Sequence, residues 1–482
     1  MPSQSTTASP PSTLRSSLPR LWFLLPLLIA SSFWLFSAPP QVDPKGWHLL
    51  GLFAATIAAL VLQLLPMGAT VLMGLAAVVA TSTLSVTQAF SGFSHDVIWL
   101  ILFACFIARG IIKTGLGARL GYGFIYLFGR HSLGLGYSLV ATDLLLSPAI
   151  PSVTARAGGI ILPILESIAE AVGSHPHSGS SRRLGSFLIQ VLFQSSCITG
   201  ALFLTSMSAN LLIAQSALEL SVEMDWGSWA LASLVPGLFH LLVMPLLLYL
   251  LHPPELTQLP MAKELARHKL EEIGSLTRPE LIMLIVFSLL ILLWAIGPRW
   301  GIAPVTTALL GVVSLLLTGV LSWRDLLREE TAWDTFIWFS ILLMMASWLS
   351  KLGVTQWLGQ LMACHTTGFS PAVSLLLLTI VYFYAHYLFA SNLAHVGAMY
   401  ATFLSVAIAL EVPPALAAYL LAFSSSLFGC LTHYSSGPAA LLFGMGYVTL
   451  ADWWKLGLLF SFISLTIWGT IGLFWWRAIG LW

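Results

Sequence analysis

Two short stretches, centred on Ser152 and Ser391 and 239 residues apart, carry the residue types best suited to hold a small anion inside an apolar chain. The first is Pro148-Ala149-Ile150-Pro151-Ser152-Val153-Thr154-Ala155-Arg156-Ala157-Gly158-Gly159. Its two prolines break an incoming helix, Ser152 or Thr154 can cap an outgoing one, and the small residues let the tip approach other backbone. A helix start of this kind presents free N–H groups and the positive end of a dipole to an anionic group. Arg156 adds a cation at a depth where an unpaired guanidinium is costly, so it needs an anionic partner. That partner is a ligand or, in a purely structural role, Asp143 or Glu166. The second stretch, Phe389-Ala390-Ser391-Asn392-Leu393-Ala394-His395, has no proline but offers a hydroxyl and an amide before a helix start. A buried histidine is more often a hydrogen-bonded core residue, and His240 and His386 are read that way. His395 stands where Arg156 stands, so substrate contact is weighed for it as a neutral donor or an imidazolium.

Two further polar clusters, Thr205-Ser206-Met207-Ser208-Ala209-Asn210 and Thr432-His433-Tyr434-Ser435-Ser436-Gly437, interrupt the apolar runs 184–221 and 413–450. Ser, Thr, Asn and Gly favour turns, and an unwound segment exposes carbonyls and amides to a cavity. Ser206, Ser208, Asn210, Thr432, His433, Ser435 and Ser436 are therefore candidate ligand contacts, against the plainer role of interhelical hydrogen bonding. The four segments share one chemistry, anion recognition. Two tips approaching from opposite faces suit a solute with a carboxylate at each end.

The elements that must position these groups are membrane helices. Of the 482 residues, 58% are hydrophobic and 8% charged, which excludes a soluble globular enzyme. Twenty Lys and Arg against 19 Asp and Glu leave no basic field, so nucleic acid is excluded as a partner. Cys105, Cys197, Cys364 and Cys430 lie in apolar runs without metal-ligand spacing and read as core residues. Spans are predicted near 21–37, 47–65, 68–86, 96–112, 184–221 and 228–251, then 279–297, 301–322, 332–350, 413–450 and 454–476, each needing roughly 20 residues to cross. Residues 1–20 read as a Ser- and Pro-rich disordered tail, with an organelle transit peptide as the alternative, though twenty residues is short for one; the prolines that follow the first span disfavour signal cleavage.

Basic residues orient the spans. With the N-terminus inside, Arg15, Arg20, Lys113, Arg119, Arg130, Arg182, Arg183, Lys263, Arg267, Lys269, Arg278, Arg324, Arg328 and Lys455 are cytoplasmic, and Lys45, Arg299, Lys351 and Arg477 external. This holds when 133–172 and 371–410 are re-entrant hairpins, opening to the inside and the outside respectively. Residues 252–278 form a cytoplasmic linker, ending in the helix start Thr277-Arg278-Pro279-Glu280.

The halves 21–251 and 279–482 resemble each other. Asp96 matches Asp334, Lys113-Thr114-Gly115 matches Lys351-Leu352-Gly353, and the two anion-holding stretches align with Arg156 against His395. Equivalent elements fall on opposite faces, so the repeats are inverted about an axis in the membrane plane, the arrangement of a secondary transporter with a midplane site. The expected fold is thus an all-α polytopic membrane protein of inverted repeats, each with a re-entrant hairpin and an interrupted helix. No H-E-x-x-H or close carboxylate pair supports a membrane-embedded enzyme, and two matched hairpins leave no continuous path for a channel.

Pro151-Ser152-Val153-Thr154-Ala155-Arg156-Ala157-Gly158-Gly159, His386-Tyr387-Leu388-Phe389-Ala390-Ser391, Ala394-His395-Val396-Gly397-Ala398 and Leu431-Thr432-His433-Tyr434 resemble the divalent anion:sodium symporter family. The likeness, from about residue 45 onward, is greatest to the branch of bacterial citrate/succinate antiporters and plastid 2-oxoglutarate/malate translocators. It implies a homodimer with a scaffold domain, a mobile hairpin-bearing domain and elevator movement. It also implies a place in a bacterial inner membrane or, alternatively, a plastid inner envelope. Sodium-coupled members carry Ser-Asn-Thr at both tips, whereas Val153 replaces the first Asn here and Leu393 the second Thr. Backbone carbonyls near Ser152, Ser208, Ser391 and Gly437 could still hold sodium, but the lost polar groups favour sodium-independent exchange. No cofactor is called for. The expectation is exchange of C4 or C5 dicarboxylates such as malate, succinate and 2-oxoglutarate, with sodium-coupled symport as the alternative. Ser152, Thr154, Ser391 and Asn392 hold the carboxylates, while Arg156 and His395 supply positive potential.

Overall fold

The computed structural model describes residues 24–62, 65–365 and 370–482. The expected tail 1–20, the first residues of the first span and the Cys364 side chain lie outside the described residues. Among the described residues the regular structure is helical, apart from one isolated bridge between His131 and Gln258. Nine of these helices are long and apolar enough to cross a membrane.

Helix Leu24–Leu35 packs on Pro44–Val61 and has no counterpart among the described residues of the second half. From Pro44 one order of elements then occurs twice. In the first half it runs Pro44–Val61, Met67–Ala80, the short Val86–Ala89, Asp96–Thr114, Leu116–Phe128, a hairpin, a broken helix and Trp226–Leu251. In the second it runs Arg278–Ile296, Pro304–Leu317, Trp323–Leu327, Glu330–Lys351, Val354–His365, a hairpin, a broken helix and Leu450–Ala478. Local geometry repeats as well. Gly115 (φ 78°) and Gly353 (φ 82°) both take the left-handed conformation between two helices, where a side chain would be strained. One turn beyond each hairpin tip, a π-helical turn occurs at Ala157–Ile161 and again at Val396–Tyr400.

The first hairpin comprises Ser132–Leu146, a tip at 147–152 and an outgoing helix over 153–171. The second comprises Pro371–Leu388, a tip at 389–391 and Asn392–Ala409. The broken helices are Gly185–Leu202 with Ser208–Glu219, and Pro414–Cys430 with Gly437–Gly444. They cross where Ser426 Oγ donates to the Cys197 carbonyl at 2.7 Å, and a Cβ on Gly200 would fall 2.6 Å from that hydroxyl.

Several boundaries differ from the sequence reading. The second broken helix ends at Gly444 rather than 450, because Gly446 turns at φ 74° and Thr449 caps the next helix at its Asp452 amide (3.1 Å). That last helix therefore starts at Leu450, not 454. Leu116–Phe128 and Val354–His365 were not anticipated, since helices of 13 and 12 residues give no membrane-length apolar run. They lie beside the hairpins, against Ser132–Leu146 and Ala401–Ala409. The linker 252–278 contains its own helix, Pro260–Ile273, packed on Leu116–Phe128. The anticipated start at Thr277 forms a reciprocal cap with Glu280.

The linker also straps the base of the first hairpin. Ser132 donates its amide to the Thr257 carbonyl (3.1 Å), and the Glu255 and Leu256 amides donate to Arg182 and Arg183 carbonyls. At the start of the strap, Arg182 donates to His252 Nδ1 at 2.8 Å. Burial and the neighbouring guanidinium lower His252 to about 4.

Candidate functional site

A cavity of about 350 Å³ lies where the two hairpin tips meet the two helix breaks. Four helices begin at it. Their N-cap residues, Ser152, Met207, Ser391 and Ser436, all line the cavity. Ser152 Oγ accepts from the Ala155 amide (3.2 Å), Ser391 Oγ from Ala394 (3.4 Å) and Ser436 Oγ from Ala439 (3.3 Å). Each hydroxyl keeps its own proton to donate. The first amides of the outgoing helices have no acceptor within the helix, so the cavity gathers helix-start N–H groups and the positive ends of four dipoles. Met207 cannot cap with its side chain. Instead the Ser208 amide and hydroxyl donate to the Pro151 carbonyl at 3.0 and 3.2 Å, tying the first break to the first tip. Gly437 meets Thr154 so closely that a Cβ would fall 2.4 Å from Thr154 Oγ1. A larger space of about 820 Å³ between the second hairpin and the last helix is walled by groups such as Leu375, Leu420, Phe462 and Leu473, with no charged side chain to fix an anion.

Neither Arg156 nor His395 lines the cavity. Arg156 is fully buried, with Nε donating to Asp143 Oδ1 at 2.8 Å and Nη1 to the Ile150 and Ser206 carbonyls at 2.5 and 2.6 Å. Thr199 Oγ1 donates to the other carboxylate oxygen. Asp143 is the structural partner weighed from sequence, and the guanidinium fastens the first tip to the first break. His395 is also fully buried, stacked between Phe389 and Phe428 at 4.7 and 4.4 Å. Its Nδ1 is 3.0 Å from His386 Nδ1, and His386 Nε2 is 3.0 Å from the Ser435 carbonyl. A carbonyl only accepts, so His386 Nε2 carries a proton and, in the neutral ring, its Nδ1 accepts from His395. His395 Nε2 is then bare and meets no donor. The pair fastens the second tip to the second break, as Arg156 does in the first half.

Three more candidates, Ser206, Ser435 and Asn210, brace the breaks and do not line the cavity, and neither do Thr432 and His433. Ser206 Oγ donates to the Gly200 carbonyl (2.6 Å) and Ser435 Oγ to Gly429 (2.5 Å), one contact repeated in both halves. Asn210 Nδ2 donates to Gly200 (2.8 Å) and Phe203 (3.0 Å) carbonyls, and Thr432 is fully buried without a partner for its hydroxyl. His433 Nδ1 accepts from Trp454 Nε1 (3.2 Å) outside the lining. The lining does contain Ser152, Thr154, Ser208, Ser391, Asn392 and Ser436, with Gly437, from the residues singled out in the sequence. It adds Ser196, Cys197 and Ser426 from the crossing helices, and Thr331, Asp334, Thr335 and Trp338 from a helix outside the hairpins. Asp334 was visible in the sequence only as the repeat partner of Asp96. The positions considered for sodium all border this cavity, and no cluster of three His, Cys, Asp or Glu residues occurs among the described residues.

A helical membrane fold with paired helix starts around a central cavity defines the class as a secondary transporter of small anions, and relatives place the chain within it. Residues 19–482 match the family model described as the sodium:sulfate symporter transmembrane region, and the chain belongs to this family of integral membrane transporters. It is 47% identical to the putative malate transporter YflS of Bacillus subtilis (strain 168), over 95% of this chain and 97% of that one. It is 46% identical to the chloroplastic dicarboxylate transporter 1 of Spinacia oleracea, over 95% and 81%. With the citrate/succinate antiporter of Escherichia coli (strain K12) it shares 31% identity over 96% and 98%. The fold also resembles the crystal structure of the Alcanivorax borkumensis YdaH transporter, with a TM-score of 0.52 at 13% identity, covering 82% of this chain and 88% of that one.

Proposed function

We propose that this transporter exchanges C4 or C5 dicarboxylates such as malate, succinate and 2-oxoglutarate, without sodium, by alternating access. The observation that carries this reading is the convergence of four helix starts on one cavity, two from each half of the chain. Each pair offers hydroxyls and helix-start amides to one carboxylate: Ser152 and Thr154 in the first half, where Ser208 holds the first tip in place through Pro151, and Ser391, Asn392 and Ser436 in the second. The relatives named for malate, dicarboxylate and citrate/succinate transport support the substrate class. Both tips end where the broken helices are interrupted, which supports re-entrant hairpins meeting at mid-depth. The repeated element order supports an inverted pair of halves; by family resemblance, the hairpins and broken helices move as a body against the helices that carry Met67 and Asp334, within a homodimer.

Val153 and Leu393 line the site with hydrocarbon, which supports exchange over sodium symport. Liposomes loaded with malate should take up labelled succinate in sodium-free buffer, and empty liposomes should not. Uptake that needs sodium but no internal substrate would refute exchange.

A further inference from the structure

The wall opposite the tips carries the one formal charge among the described lining residues, and it is negative. Thr331, Asp334, Thr335 and Trp338 recur at steps of three and four along Glu330–Lys351, so they share one helix face, and all four line the cavity. Asp334 is exposed and forms no hydrogen bond or ion pair with a described residue. Gly68 leaves room for it, since a Cβ there would fall 2.5 Å from Oδ1. The cations of the neighbouring helix Asp96–Thr114 are engaged elsewhere, Arg109 with Glu329 (3.8 Å) and Lys113 with Asp325 (2.7 Å).

A cavity whose helix starts attract an anion therefore holds an uncompensated carboxylate on its far side. Two carboxylates of a solute can both sit on helix starts, but a third has only the opposite wall to face. We propose that Asp334 sets the charge class of the solute, admitting dianions and rejecting trianions by like-charge repulsion. This rests on the dicarboxylate reading and deepens it. In a hydrated cavity, one added carboxylate near Asp334 costs about tenfold in affinity.

The test is calorimetric titration of the purified wild-type, D334N and D334E proteins with succinate and with propane-1,2,3-tricarboxylate, at pH 8 and low salt, where every carboxyl is ionised. Wild type should prefer succinate. D334N should bind the tricarboxylate about tenfold more tightly than wild type does, with a gain for succinate of no more than about threefold. D334E, which keeps the charge, should retain the wild-type preference. Asparagine is isosteric and Asp334 makes no internal bond, so D334N should fold. An affinity ratio that D334N leaves unchanged would overturn the filter while the dicarboxylate reading stands. Failure of wild type to bind succinate would overturn that reading and the filter with it.

Discussion

The two hairpins reach the cavity by the same backbone path but are fastened behind it by opposite chemistry. In the first, an ion pair between Asp143 and Arg156 reaches the Ser206 carbonyl. In the second, the His395–His386 pair reaches the Ser435 carbonyl. Ser206 and Ser435 are themselves equivalent, since each returns its hydroxyl to a glycine carbonyl six residues earlier. Tyr382 stands 239 residues after Asp143 and packs edge-on against the His395 ring at 4.7 Å, so an aromatic replaces the carboxylate where an imidazole replaces the guanidinium. The comparison teaches that the fold needs a tip-to-break fastener in each half, and that its charge is free to vary. In the first half the cation is balanced by Asp143 and lies outside the cavity lining.

The largest effect should come from breaking the charged fastener. Arg156→Met leaves Asp143 buried without its partner and should cost about 3–5 kcal/mol, while combining it with Asp143→Leu should recover much of that loss. Thermal unfolding of the purified variants measures both, and equal losses in the single and double variants would show that the ion pair is not what holds the tip. The neutral fastener should matter less. His386→Phe removes the bond to Ser435 and should cost about 1–3 kcal/mol in the same assay; a loss as large as that of Arg156→Met would remove the contrast between the halves. Smallest, and equal on both sides, should be Ser152→Ala and Ser391→Ala. Each loses an N-cap worth about 1 kcal/mol, and each should weaken succinate binding to a similar degree. A strong asymmetry in binding would mean that one tip alone holds the solute.

The caps, the breaks and the repeat were legible because they rest on local rules. Proline, serine and glycine set backbone direction whatever surrounds them, so Ser152, Ser391 and the clusters at 205–210 and 432–437 could be placed from residue types alone. Arg156 and His395 were located in the repeat, but the direction of each side chain was not legible. Asp143 lies 13 residues before Arg156 and Thr199 lies 43 after it, and only packing brings all three together. Asp334 was hidden for a related reason, since an acid at the start of an apolar helix looks like any other until the opposite wall of its cavity is known.

The sequence by itself determined that this chain is a helical membrane protein with helix breaks and caps near Ser152 and Ser391, because hydropathy, helix breakers and helix caps act over a few residues. Only the tertiary structure decided which polar groups line the cavity and which hold the scaffold. Burying a charge requires a partner, and partners distant in sequence are chosen by packing.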